Sequence, residues 1–257
     1  MVEFRLAKWY LDCVTESGDV SIFYSGLARW GRALRLNYSS AIETTGAAVT
    51  TRRSFRSAPL PDFAHGAARW QSAALHIDGE WRAESDPVRA TIFSSSDGSI
   101  EWECLMPRAR VSIGGRQGFG YVERLTMTIA PWKLPLRTLR WGRFVSASDW
   151  VVWIQWYGDS CRTLVYRNGV ASAVPVLDDS RIEFTDGARL ALDRSLEIRN
   201  GRLGSTAFSR MPALRHTVPG CLLQVQECKW RSRARLEDAG GNGNEGWAIH
   251  EIVRWPQ

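Results

Sequence analysis

The chain has 257 residues, 44% hydrophobic and 23% charged, with 13 Trp and a net charge of +6. That balance excludes a disordered chain and is ample for a substantial core. Lys stands only at Lys8, Lys133 and Lys229, so nearly all 33 basic residues are Arg, and no basic run is interleaved with aromatics as in a nucleic-acid module.

Alternating runs predict strands over 8–15, 20–28, 33–43, 70–77, 88–94, 100–105, 108–113, 119–129, 150–157, 161–167, 181–185, 189–192, 195–199, 221–230 and 247–255. Turn signals separate them: Ser17-Gly18-Asp19, Asp78-Gly79, Asp97-Gly98, Gly114-Gly115, Asn168-Gly169, Asp186-Gly187 and Asn200-Gly201. The stretch 131–141 carries Pro131 and Pro135, which favour a bent loop over a short helix. No long segment has a helical period. The expectation is an all-β protein, a barrel or sandwich of short antiparallel strands. The number of strands exceeds one small barrel and predicts two halves, 1–170 and 171–257. The polar cluster 168–180 is the expected linker, with 114–118 as a rival, and 237–246 reads as a hairpin loop.

Several function classes fall away. The five Cys (13, 104, 161, 221, 228) form no CxxC. An odd count of reduced thiols suits the cytoplasm, as does an N-terminus, MVEFRLAKWYLDC, without the apolar core of a secretory signal. No run approaches the ~18 apolar residues of a spanning helix. His65, His76, His216 and His250 show no HxxxH or HExxH spacing, so no metal is expected. Residues 114–120, GGRQGFG, look like a phosphate loop, but no helix follows, so no nucleotide and no cofactor are expected. No GxSxG elbow is present.

The chemistry is carried by carboxylates on apolar rows. Over 119–129, Tyr121, Glu123, Leu125, Met127 and Ile129 share one side of a strand. A carboxyl on such a row is costly to ionise, which makes Glu123 a candidate proton donor. An Arg inside the sheet is the alternative partner for it. Asp12 shares a row with Tyr10 and Val14, Glu227 with Leu223 and Val225, and Glu251 with Trp247, Ile249, Val253 and Trp255. Arg140 and Arg143 are candidate partners for these acids. His250 could relay a proton near Glu251 or be a satisfied core His. Trp102, Trp9 and Trp153 are candidates for a substrate wall, Trp being wide and rigid.

Two islands resemble a known family. WYLDCVTESGD over 9–19 resembles the opening of the carotenoid 1,2-hydratases, a W-Y-x-D strand followed by a D-G turn. Gly118, Gly120, Tyr121 and Glu123 resemble that family's G-x-G-Y-x-D motif, with Glu where the hydratases have Asp; AttH-like proteins carry a comparable Gly-Tyr-x-Glu. The resemblance implies two tandem lipocalin-like β-barrels and a cavity for long hydrophobic molecules. It also implies protonation of an isolated carbon–carbon double bond, with the family's acid mapping onto Glu123, Tyr121 beside it, and an upstream aromatic at Trp102.

The function expected is therefore a cofactor-independent hydro-lyase or cyclase on an isoprenoid or polyene. Glu123 would be its acid, with Tyr121 and Asp12 as further catalytic candidates. Trp102, Trp9, Trp153, Glu251, His250 and Glu227 would contact substrate. The alternatives are a non-catalytic carrier of a hydrophobic molecule and a pericyclase that only folds its substrate. The expected partner is a hydrophobic small molecule and no nucleic acid, with transient contact to an anionic membrane surface.

Overall fold

The structure, a computed structural model, describes residues 3–31, 34–56, 59–206 and 219–256. The chain forms two compact units, Met1–Ala130 and Pro131–Gln257. The first holds β1 (Phe4–Val14), β2 (Val20–Trp30), β3 (Leu34–Thr45), β4 (Ala48–Ser54), β5 (Asp62–Ala64), β6 (Ala67–Ser72), β7 (Ile77–Ala83), β8 (Val88–Ser95), β9 (Gly98–Ile113) and β10 (Arg116–Met127). The second holds β11 (Leu136–Ser146), β12 (Trp150–Gly158), β13 (Cys161–Arg167), β14 (Val170–Ala171), β15 (Val176–Leu177), β16 (Arg181–Glu183), β17 (Arg189–Leu192), β18 (Leu196–Arg202), a short helix α1 (Gly220–Gln224), β19 (Gln226–Glu237) and β20 (Gly243–Arg254). Among the described residues no helix is long and apolar enough to cross a membrane.

Each unit is one ten-stranded antiparallel sheet, and both have the same order. In the first it is β4-β3-β2-β1-β10-β9-β7-β6-β5, with β8 on β9; in the second it is β14-β13-β12-β11-β20-β19-β17-β16-β15, with β18 on β19. The first sheet bends round so that Arg52 on β4 donates to the carbonyl of Leu75, in the 3-10 turn after β6. In the second, the amide of Thr185 donates to the carbonyl of Ala173. These sheets are the tandem lipocalin-like architecture that the resemblance implies.

The boundary differs from the sequence reading. It falls at Ala130–Pro131, not near 170, and 168–180 lies inside the second sheet, as the β13–β14 turn and the approach to β16. The physical reason is β11. Its residues, LRTLRWGRFVS, show little alternation of apolar and polar types, so the run reads as a loop. Yet β11 pairs with both β12 and β20 and is buried from Trp141 to Ser146. Pro131 and Pro135 lie outside it, where a missing N–H costs no ladder bond.

Other differences have local causes. The runs 100–105 and 108–113 are one strand, β9, because Pro107 falls where pairing to β8 ends at Cys104 and pairing to β7 begins at Ala109. Asp78-Gly79 is no turn. Gly79 sits in β7, where a Cβ would come within 2.8 Å of the Trp81 ring. Residues 221–224 lie in α1, and only from Gln226 does the chain become strand. The turn at 168–169 forms as expected, with Asn168 and Gly169 both at positive φ. His216 lies outside the described residues.

One face of each sheet carries an apolar core. In the first unit it includes Leu11, Phe23, Trp70, Trp81, Val111 and Val122. In the second it includes Phe144, Val151, Trp153, Ile182, Leu190 and Ala248. The other face of β1, β9 and β10 is also buried, and there the polar groups gather.

Candidate active site

Strand alternation puts Tyr10, Asp12, Tyr121, Glu123, Trp102 and Cys104 on the face opposite the first unit's apolar core. All six are buried, Glu123 the least so at 6% exposure. The Glu123 carboxylate accepts two bonds on one oxygen, Oε2. The Tyr121 hydroxyl donates at 2.7 Å and the Trp102 indole Nε1 donates at 2.7 Å. Tyr121 and Glu123, read together from one row, and Trp102, read separately, thus meet at one atom.

Asp12 lies beside them. It stands directly across the β1–β10 ladder from Tyr121, and Tyr10 stands across from Glu123. The Tyr10 hydroxyl donates to Asp12 Oδ2 at 2.9 Å. The backbone carbonyl of Asp12 accepts from Trp81 Nε1 at 2.7 Å, which ties this strand to the core on the other face. Tyr10 makes edge contacts with Tyr121 and Tyr24, ring centroids 5.9 Å and 5.2 Å away.

Backbone features place this group. The β9–β10 register shifts on both sides of Val122, so Tyr121 has no ladder partner on β9 and sits in a bulge. Bulges re-aim side chains and recur beside active sites. The glycines of the G-x-G-Y-x-E run have a steric purpose. A Cβ on Gly118 would come within 2.2 Å of the Val14 carbonyl oxygen, and one on Gly120 within 2.0 Å of that of Asp12. Only glycine lets β1 and β10 approach so closely next to the carboxylates.

Cys104 and Tyr10 are the members that the sequence reading did not single out as functional. Cys104 is directly opposite Glu123. Burial pushes its thiol well above the ordinary value; the bond with Tyr121 pulls the other way, and the charges of Glu123 and Asp12 add to the rise. Burial likewise raises the Tyr121 phenol, with Cys104 and Glu123 adding to it. Both groups therefore stay neutral at ordinary pH, and Tyr121 keeps the proton that it donates. The alternation of Trp102, Cys104 and the Glu123 row was the available signal for Cys104.

The remaining candidates lie elsewhere. Trp9 belongs to the opposite face. It stacks on Phe63 at 4.7 Å, packs against the apolar core, and has Arg124 over its ring at 5.4 Å. It is the immediate neighbour of Tyr10, and in a strand a step of one position suffices to reverse the side. Trp153 is part of the second unit's apolar core. His250 shares that face. Its Nε2 bonds the Ser232 hydroxyl at 2.8 Å, and its ring stacks on Trp230 at 5.4 Å. Burial first, then Arg194 and Lys229, lower its pKa to about 3, against a small opposing effect of Glu251. A proton relay to Glu251 is excluded by geometry, since adjacent strand residues point to opposite faces.

Glu227 and Glu251 lie on the second unit's other face, opposite its apolar core. Glu251 forms an ion pair with Lys229, and Glu227 one with Arg199 at 3.2 Å. Lys229 Nζ also lies 5.1 Å from the centre of the Trp141 ring. Of the basic partners proposed from sequence, Arg140 instead pairs with Asp179 at 2.9 Å, and Arg143 donates to the Trp247 carbonyl at 3.2 Å. Among the described residues no group of three or more His, Cys, Asp or Glu is placed to hold a metal ion.

With this geometry in hand, the chain was compared with known proteins. No family model and no curated protein matches the sequence. Solved structures do match in fold. CghA, solved with Sch210972, aligns at a TM-score of 0.59 with 12% identity, over 97% of this chain and 88% of that one. A putative AttH from Nitrosomonas europaea aligns at 0.53 with 8% identity, over 97% and 92%. Kievitone hydratase from Nectria haematococca aligns at 0.49 with 9% identity, over 97% and 88%. The chain has the fold of CghA and the AttH-like protein. At these identities the likeness concerns the backbone, and the chemistry has to be argued from the side chains.

Proposed function

We propose that this protein is a cofactor-independent lyase or cyclase that protonates a carbon–carbon double bond of an isoprenoid or polyene. Glu123 is the acid. Water traps the resulting cation in a hydration, or the substrate traps it internally in a cyclisation. The observation that carries this reading is the Glu123 carboxyl, held by the Tyr121 hydroxyl and the Trp102 indole on a buried face of the sheet. Protonating an alkene needs an acid kept from water and surroundings that tolerate a cation. Tyrosine and tryptophan faces offer the second through their quadrupoles. The hydrophobic substrate would lie against this face, in the cytoplasm or at a membrane surface.

The test is incubation of the full chain with a panel of isoprenoid hydrocarbons in D2O, read by mass spectrometry for deuterium on carbon and for addition of water. Glu123→Gln keeps the size of the side chain but has no acid proton, and should lower incorporation by about 10²–10⁴. Tyr121→Phe keeps the ring and should cost less. Equal incorporation in Glu123→Gln and the parent would remove Glu123 from the mechanism. Binding of these hydrocarbons with no incorporation at all would make the protein a carrier.

A further inference from the structure

The motif Tyr-x-carboxylate occurs twice on the candidate face. Tyr10-Leu11-Asp12 runs along β1 and Tyr121-Val122-Glu123 runs along β10, in opposite directions. In each, the phenol donates to the carboxylate two residues further on, at 2.9 Å and 2.7 Å. The ladder places Tyr10 opposite Glu123 and Asp12 opposite Tyr121. The four side chains therefore form a square, with phenols on one diagonal and carboxyls on the other. Diagonal neighbours of an antiparallel pair are about 7–8 Å apart. Where an acid carboxyl and a base carboxyl work with a water between them, as in inverting glycoside hydrolases, they stand about 6.5–9.5 Å apart. The backbone positions that carry Asp12 and Glu123 stand a comparable distance apart on their diagonal.

A water that attacks the cation from the side away from Glu123 sheds its proton out of reach of that carboxylate and needs a second acceptor. We propose that Asp12, held by Tyr10, is the base of the same site, and that the square binds a positive centre on a hydrophobic chain. This inference rests on the reading of Glu123 as the acid. Glu123 gives its carboxyl proton to one alkene carbon, and the π electrons form the new C–H bond. The neighbouring carbon takes the positive charge. A lone pair of water forms the C–O bond, and the proton lost from that water passes to the Asp12 carboxylate. One water has then been added across the double bond. Asp12 ends protonated and Glu123 ionised, and exchange with solvent restores both. The rings of Tyr10 and Tyr121 flank the charged intermediate.

The experiment needs no substrate. N,N-dimethylfarnesylamine, protonated at pH 7, serves as a cation on an isoprenoid chain, and farnesyl methyl ether as its neutral counterpart. Dissociation constants are measured on the full chain by calorimetry. The amine should bind the parent at least about tenfold more tightly than the ether. Asp12→Asn should remove most of that preference, read as the ratio of the two dissociation constants in the same variant. Should Asp12→Asn fail to fold, Tyr10→Phe reads the same site, and its loss of one hydrogen bond should cut the preference about two- to tenfold. A parent without preference for the amine overturns the inference. So does a preference that stays intact in Asp12→Asn or in Tyr10→Phe, and that result leaves Glu123 as the acid. Unchanged deuterium incorporation in Glu123→Gln would instead defeat the proposed function, separately from this measurement.

Discussion

Glu123 on β10 and Glu251 on β20 hold the same station in two sheets of the same strand order. Each faces an aromatic residue on its unit's first strand, Tyr10 or Trp141, and a residue on its ninth, Cys104 or Lys229. The backbone agrees in detail. Five residues before each Glu stands a glycine, Gly118 or Gly246, whose Cβ would come within 2.2 Å of a carbonyl oxygen on the first strand, that of Val14 or Val145. The surroundings do not agree. Glu123 meets two neutral donors beside a bulge, whereas Glu251 meets an ammonium on a ladder that runs unbroken from Gln226–Arg254 to Glu237–Gly243. A shared fold fixes where a carboxyl stands, and its neighbours decide whether it meets neutral donors or a cation.

The largest expected effect probes that ion pair. Lys229 is buried, and Lys229→Met takes the cation from beside Glu251, which should cost about 3–5 kcal/mol in urea denaturation. Adding Glu251→Gln should restore most of the loss. A small effect of Lys229→Met would mean that the pair is not what distinguishes this station from that of Glu123.

The acid response should also separate the units. His250 occupies the position matching Val122, which does not titrate. Its folded pKa of about 3 lies below the 6.5 of the unfolded chain. Below pH 6.5 the unfolded state binds a proton there that the folded state refuses, so stability falls with pH down to about 3. The loss should be about 1.4 kcal/mol per pH unit within that window. His250→Gln should flatten the difference in stability between pH 7 and pH 5, and an unchanged slope would show that the imidazole does not carry it.

The glycine stations test equivalence directly. Gly118→Ala and Gly246→Ala both drive a methyl into a carbonyl and should each cost about 1–3 kcal/mol or more, by similar amounts. A cost confined to one would break the correspondence. The smallest effects concern hairpin locks. Asp19 accepts from the Gly46 amide at 2.8 Å, and Asp149 accepts from the Asn168 side chain at 2.8 Å, each joining the first hairpin of its unit to the third. Both bonds are exposed, and Asp19→Ala or Asp149→Ala should cost about 0.5–1.5 kcal/mol in melting experiments.

The sequence by itself determined the all-β class, the hairpin at Asn168-Gly169, and the face shared by Tyr121 and Glu123. These are local: positive φ favours Asn and Gly, and period two is a property of one strand. Glu123, Tyr121, Trp102 and Asp12 were all legible as candidates, three of them through short motifs. Tertiary structure decided what they do together. That Trp102 reaches the same oxygen as Tyr121, that Cys104 faces Glu123, and that Tyr10 and Asp12 complete a square all depend on the register of β1, β9 and β10, which no single strand encodes. The same holds for the errors. β11 shows little alternation because both of its faces are buried from Trp141 to Ser146, and Trp9 falls on the core side because one residue of register reverses every side chain. The common order of the two sheets was hidden for a related reason: a strand order is kept by backbone pairing and by a few close approaches such as those at Gly118 and Gly246, which leave most side chains free to differ.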